Sequence, residues 1–168
     1  MKKLYCFLIT LCAAYTISKA QDYSYAAYPK HFEISLGGQH FFGDGGLMDF
    51  GGIRMGFRFH PDWSLKAGFA SGIGNDWTSH RSDIADLGIA RIVRNDGLKN
   101  LETQFTFGAG YLWDHRTEGV NGIVLGMIDI ENRYYISPKG YLGATIKSYA
   151  GKDYVKASFL GITLGIRF

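Results

Sequence analysis

The sequence predicts an all-β chain: eight antiparallel strands closed into an up-and-down barrel, preceded by a cleavable export signal. Three observations predict it. The first twenty residues have the layout of a signal peptide. The remainder alternates apolar and polar residues with a period of two, in runs separated by turn chemistry. Composition agrees, because 23 Gly against 3 Pro with 15% aromatics disfavours helix and favours strand.

The N-terminus places Lys2 and Lys3 before an apolar run from Leu4 to Ala14, too short to span a bilayer, and closes on Ser18-Lys19-Ala20. Small residues at −3 and −1 predict cleavage after Ala20, so residues 1–20 are the signal and 21–168 the barrel. Cys6 and Cys12 leave with the signal, and the mature chain then holds no disulfide, Cys-ligated zinc or cysteine nucleophile. Leu11 before Cys12 argues against lipidation there, since lipoprotein signals want a small residue at that place. Lys2, Lys3 and Lys19 are three of the 18 basic residues, and the 15 that remain match the 15 acidic ones. A near-neutral chain gives no argument for nucleic acid. The length suits one domain.

The strands follow in order. Phe32, Ile34 and Leu36 alternate with Glu33, Ser35 and Gly37; Ile53, Met55, Phe57 and Phe59 alternate with Arg54, Gly56, Arg58 and His60. Trp63, Leu65, Ala67 and Phe69 oppose Ser64, Lys66 and Gly68. The fourth, from Asp86 to Arg94, is ambiguous, because Leu87, Ile89 and Val93 share a parity with Arg91 while Ile92 takes the other. The fifth is the clearest: Leu101, Thr103, Phe105, Phe107, Ala109, Tyr111 and Trp113 against Glu102, Gln104, Thr106, Gly108 and Gly110. The sixth sets Ile128, Ile130, Tyr134 and Ile136 against Asp129, Glu131 and Arg133. The seventh sets Leu142, Ala144 and Ile146 against Tyr141, Gly143, Thr145 and Lys147. The last runs Leu160, Ile162, Leu164, Ile166, Phe168 against Phe159, Gly161, Thr163, Gly165, Arg167.

Short turns are expected at His60-Pro61-Asp62, Asn95-Asp96-Gly97 and Ser137-Pro138-Lys139-Gly140. Longer connections richer in Gly and charge are expected over 43–52, 74–85 and 114–122, with a brief one near Ala150 to Asp153. Short turns on one side and long loops on the other are the periplasmic and extracellular ends of an outer-membrane barrel.

Alternation alone does not say which face meets water. Inward, the apolar parity would crowd Phe32, Phe57, Phe59, Trp63, Phe69, Phe105, Phe107, Tyr111, Trp113 and Phe168 into an eight-stranded lumen too narrow for them. Outward, the same rings make a lipid-facing wall with interfacial girdles. The interior then holds Glu33, Arg54, Arg58, Lys66, Glu102, Asp129, Glu131, Arg133, Lys147 and Arg167, near-balanced charges expected to pair across the lumen and plug it.

Leu160, Ile162, Leu164, Ile166 and the terminal Phe168 resemble the C-terminal strand signature of outer-membrane proteins. With the export signal and eight strands, the mature chain resembles the small barrel families, of the OmpX kind and the transmembrane half of OmpA. That resemblance implies residence in the bacterial outer membrane as a monomer, with membrane lipid and lipopolysaccharide around its wall. It further implies recognition of the last strand by the barrel-assembly machinery. It fixes no activity.

The chemistry-bearing clusters are few. His80-Arg81-Ser82, with Asp83 and Asp86 nearby, is similar to the His and Ser two apart in the lipid A deacylase barrels, and in a strand that spacing shares one face. The triplet falls in a connection, where a solvated loop is the favoured reading. Asp129, Glu131, Arg133 and Glu102 suggest a paired-carboxylate or cation site, and a lumen ion-pair network is favoured over both. His31, His40, His60, His80 and His115 stand singly, without ligand spacing, and Gly43-Asp44-Gly45-Gly46 lacks the context of a phosphate loop. No cofactor is expected. The leading reading is a non-enzymatic outer-membrane barrel serving envelope structure or surface contact. Its rivals are a lipid A-modifying hydrolase using His80 and Ser82, and a soluble periplasmic barrel for an apolar ligand.

Overall fold

A computed structural model describes residues 30–42, 48–74, 81–94, 98, 100–114, 121–151 and 157–168. The export signal, His80, His115 and the turn at Asn95-Asp96-Gly97 lie outside the described residues. Eight strands follow one another: β1 (His31–Phe42), β2 (Met48–His60), β3 (Trp63–Gly74), β4 (Arg81–Arg94), β5 (Leu101–Asp114), β6 (Asn121–Tyr135), β7 (Gly140–Ala150) and β8 (Ala157–Arg167). Each pairs antiparallel with its neighbour in sequence, and β8 pairs with β1, so the sheet closes and has no free edge.

Closure is in register from Glu33 opposite Arg167 to Phe42 opposite Ser158, and the Phe168 amide donates to the Phe32 carbonyl. Among the described residues, one irregularity in register falls between Arg58 and His60, where β2 enters the Pro61-Asp62 turn. The Ser137–Gly140 turn is held by the Gly140 amide donating to Ser137 Oγ at 2.7 Å. That bond exchanges a side-chain acceptor for a ladder partner, as turn serines do. β1 begins and β8 finishes at one end of the barrel, called here the terminal end.

The strands are longer than the alternation suggests. β2 starts at Met48 and β4 at Arg81, inside stretches that composition marks as loops. Backbone pairing continues there regardless of Gly content, with Gly51 opposite Ser71 and Ser82 opposite Gly72. The far-end connections are accordingly shorter than expected, except that β7 to β8, read as brief, runs from Ala150 to Ala157. The two ends therefore differ less in loop length than the sequence indicates.

Burial alternates as the pleat requires. Phe32, Leu36, Phe107, Ile162 and Phe168 are among the exposed large apolar residues, whereas Glu33, Arg58, Glu102 and Glu131 are buried. The outer wall is apolar and the inside polar, the reverse of a soluble barrel. On β4 the ambiguity resolves with Leu87, Ile89, Arg91 and Val93 outside and Ile84, Ala90 and Ile92 inside. Arg91 on that wall lies near the terminal end, over the Trp63 ring and 3.4 Å from Asp62.

Candidate functional site

The lumen concentrates the chemistry. The ten charged residues that the alternation assigns to the interior are 0–7% exposed. Period two brings them in, and antiparallel register stacks them: Asp129 lies opposite Lys147, and Glu102 opposite Arg133.

Glu131 is the hub. It accepts from Lys66 Nζ at 2.8 Å, Arg133 Nη2 at 2.8 Å, Arg54 Nη1 at 3.1 Å and Thr163 Oγ1 at 2.9 Å. Arg133 spans to Glu33, with Nη1 at 2.7 Å from both carboxylate oxygens, and stacks 4.3 Å over the Tyr141 ring. Arg54 also reaches Asp129 at 3.2 Å, and Thr145 donates to the same carboxylate. Toward the terminal end, Glu102 accepts from Arg58 at 2.6 Å, Gln104 at 2.6 Å and Tyr135 at 3.2 Å. Arg167 sits 3.9 Å from Glu102 and 3.9 Å over the Tyr135 ring. Such charges tolerate burial because each has an opposite charge within reach.

Asp86 belongs to this network and not to the His80 cluster. It accepts from Lys147 Nζ at 2.8 Å and from the Tyr149 hydroxyl at 2.7 Å. The signal was present in the sequence: if Leu87, Ile89 and Val93 face out, Asp86 faces in. Inward glycines make the room. A Cβ at Gly56 would lie 2.5 Å from a Glu33 oxygen, and one at Gly68 would lie 2.7 Å from Asp86.

Toward the far end the interior turns apolar. Phe50, Ile84, Leu112, Leu125, Met127, Tyr149 and Phe159 form one buried cluster, with the Phe159 ring edge-on to Phe50 at 5.2 Å and Tyr149 at 5.5 Å. Alternation did not predict it, since these residues sit on the parity that is charged lower down. Between the two layers lies a cavity of about 20 Å³ bordered by Gly37, Gly52, Arg54, Asp86 and Lys147. It has room for about one water.

The structure divides the His80-Arg81-Ser82 cluster. Ser82 lies in β4, not in a connection, and is 3% exposed on the inward parity. Asp83 has the opposite parity and pairs with Arg81 at 3.1 Å, while Asp86 is engaged in the lumen. No group of three metal-ligating side chains occurs among the described residues.

No family model matches the chain, and no curated protein matches it in sequence. Solved structures do match in fold. The N-terminal β-barrel domain of Pseudomonas aeruginosa OprF superposes with a TM-score of 0.67 at 16% identity, over 82% of this chain and 97% of that one. Neisserial surface protein A matches with a TM-score of 0.60 at 11% identity, and Ail, the attachment invasion locus protein of Yersinia pestis, with 0.58 at 14%. Each of these two covers 83% of this chain and 97% of its own. The chain has the fold of the small bacterial outer-membrane β-barrels.

Proposed function

We propose that the protein is a non-conducting, non-enzymatic barrel of the bacterial outer membrane, serving envelope structure or surface contact through its wall and far-end loops. What supports this reading is the set of side chains that the described strands turn into the lumen. A layer of ion pairs centred on Glu131 lies in series with the apolar cluster around Met127 and Phe159, and the cavity between them is about 20 Å³. An ion entering would have to displace a buried charge network and then cross an apolar layer. The exposed wall of Phe, Leu and Ile supports placement in lipid, and the even strand number puts both barrel ends of the chain on one side, the periplasmic one in this reading. The last strand, ending in Leu164, Ile166 and Phe168, is the part offered to the assembly machinery.

Planar-bilayer recording of the purified, refolded barrel tests the proposal. The expected result is no reproducible single-channel step. Steps of defined, large size in independent preparations would overturn it.

A further inference from the structure

The charges inside the lumen do not cancel. Among the described residues, each inward carboxylate has one cation that can be assigned to it: Asp86 has Lys147 at 2.8 Å, Asp129 has Arg54 at 3.2 Å, and Glu131 has Lys66 at 2.8 Å. Glu33 has Arg133 at 2.7 Å and Glu102 has Arg58 at 2.6 Å. Five carboxylates are thereby matched by five cations, and Arg167 is left over. His31, buried at the same end, brings no negative charge in either protonation state.

The surplus lies at the terminal end. Glu102 is already engaged by Arg58, Gln104 and Tyr135, and Arg167 Nη2 stands 3.9 Å from the oxygen that Arg58 holds. That is beyond hydrogen-bond reach. The two Nη2 atoms, 2.6 and 3.9 Å from one oxygen, lie no more than about 6.5 Å apart. The Tyr135 ring covers one face of the Arg167 guanidinium at 3.9 Å, so what that group offers is its N–H edge. Arg58 Nε and Nη1, Arg167 Nε and Nη2 and the Ser64 hydroxyl have no hydrogen-bond partner among the described residues. All three side chains are buried, at 1%, 5% and 1% exposed in that order. Ser64 is the register partner of Arg58, and Ala90 stands opposite Ser64, so the residues beside these donors are short.

We propose that the terminal end of the lumen binds one small monovalent anion, of halide size, between Arg58 and Arg167. Water could satisfy the free N–H groups, but it would leave the surplus cation uncompensated, and a buried charge without a counter-charge is costly. An anion answers both needs. A single acceptor atom bonded from two sides spans about 6 Å, which fits the separation of the two guanidinium groups. The surplus of one charge selects a monovalent ion. An organic carboxylate or a phosphate ester would have to displace Tyr135 and Tyr141, both buried at this end. Farther in, Glu131 and its cations close the lumen, so the ion is held there and does not pass. The site depends on the interior alone, whatever role the wall and loops serve.

The test is urea titration of the refolded barrel in increasing sodium chloride, with sodium gluconate holding the ionic strength constant. Gluconate is an organic carboxylate too large for the site, and screening of ion pairs is the same in both salts. The folding equilibrium constant of the wild type should rise about tenfold for each tenfold rise in chloride above half-saturation, and stay flat in gluconate. Arg167→Met removes the surplus cation and should abolish the chloride dependence. Arg58→Met should do the same, because it frees Glu102 for Arg167. Lys139→Met, which removes an exposed cation at the same end, should leave the dependence intact. Chloride NMR line broadening by the wild-type barrel, reversed by bromide, reads the site directly and stands if an arginine variant fails to fold. Equal slopes in both salts, a slope that survives Arg167→Met or is lost in Lys139→Met, or no bromide-reversible broadening would each overturn the assignment.

Discussion

Replacing Glu131 by Gln removes one charge from the lumen and almost no volume. Glu131 is fully buried, and three cations converge on it, from Lys66, Arg54 and Arg133. Arg133 would keep Glu33 at 2.7 Å, and Arg54 would keep Asp129 at 3.2 Å. Lys66 makes no other carboxylate contact among the described residues, so its ammonium would be left buried beside an amide. Breaking a buried pair by removing one partner costs about 3–5 kcal/mol, because the orphaned charge has lost its solvation and its partner alike. Lys66→Met added to Glu131→Gln removes the orphan at similar length, and should recover all but about 1 kcal/mol, as apolar replacement of whole buried pairs does. Alone, Lys66→Met leaves Glu131 with two arginines and should cost less than Glu131→Gln. Urea titration of the barrel in lipid vesicles measures all four corners of the cycle. The reasoning fails if Glu131→Gln costs under about 0.5 kcal/mol, or if the two substitutions simply add, since residues sharing a network should couple by about 0.5–3 kcal/mol.

Other outcomes follow from the wall and the termini. Phe107 is 60% exposed midway along β5, so Phe107→Lys should destabilise the inserted barrel by about 2–4 kcal/mol, read as a lowered urea midpoint. Phe105→Leu with Phe107→Leu should cost little in lipid, where leucine is equally at home; a loss above about 1 kcal/mol per site would indicate packed protein around those rings and an inverted barrel. N-terminal sequencing of the membrane form should begin at Gln21, and a form retaining Lys2 would refute cleavage after Ala20.

Much of this fold was legible because a barrel wall separates two solvents and the chain must alternate between them. Phe105 and Gln104 differ in exposure for the same reason that they differ in polarity. The polar parity was equally plain in Arg54, Arg58, Glu102 and Glu131, whose side chains lie in the lumen. What stayed hidden were distances between strands. Nothing in the sequence pairs Arg133 with Glu33, a hundred residues away, or gathers three cations on Glu131, because such contacts depend on the register of several strands at once. Gly51 falls in a stretch that reads as a connection until β1 and β2 are seen to run past it in register.

The far-end start of β6 was missed for another reason than those of β2 and β4, whose Gly, Ser and Asp read as loop. Where the lumen becomes apolar, the inward parity loses its polarity, and the strand no longer alternates. Ile123, Val124 and Leu125 are consecutive apolar residues on β6, and Phe159 with Leu160 does the same on β8. Period-two reading fails in such stretches because both faces are apolar, one toward lipid and one toward the Phe50 and Met127 cluster. The loss of signal therefore reports a change of interior. The two layers also resist water by different means. The charged layer holds its place through specific partners and weakens when one is removed, whereas the apolar layer excludes water by packing and has no partner to lose. Because they lie in series along one narrow lumen, damage to the Glu131 network still leaves the layer formed by Leu112, Leu125 and Phe159 in the path. The two layers therefore answer to substitution differently: a single change at mid-height orphans a buried charge, whereas one in the far-end cluster leaves only a packing defect.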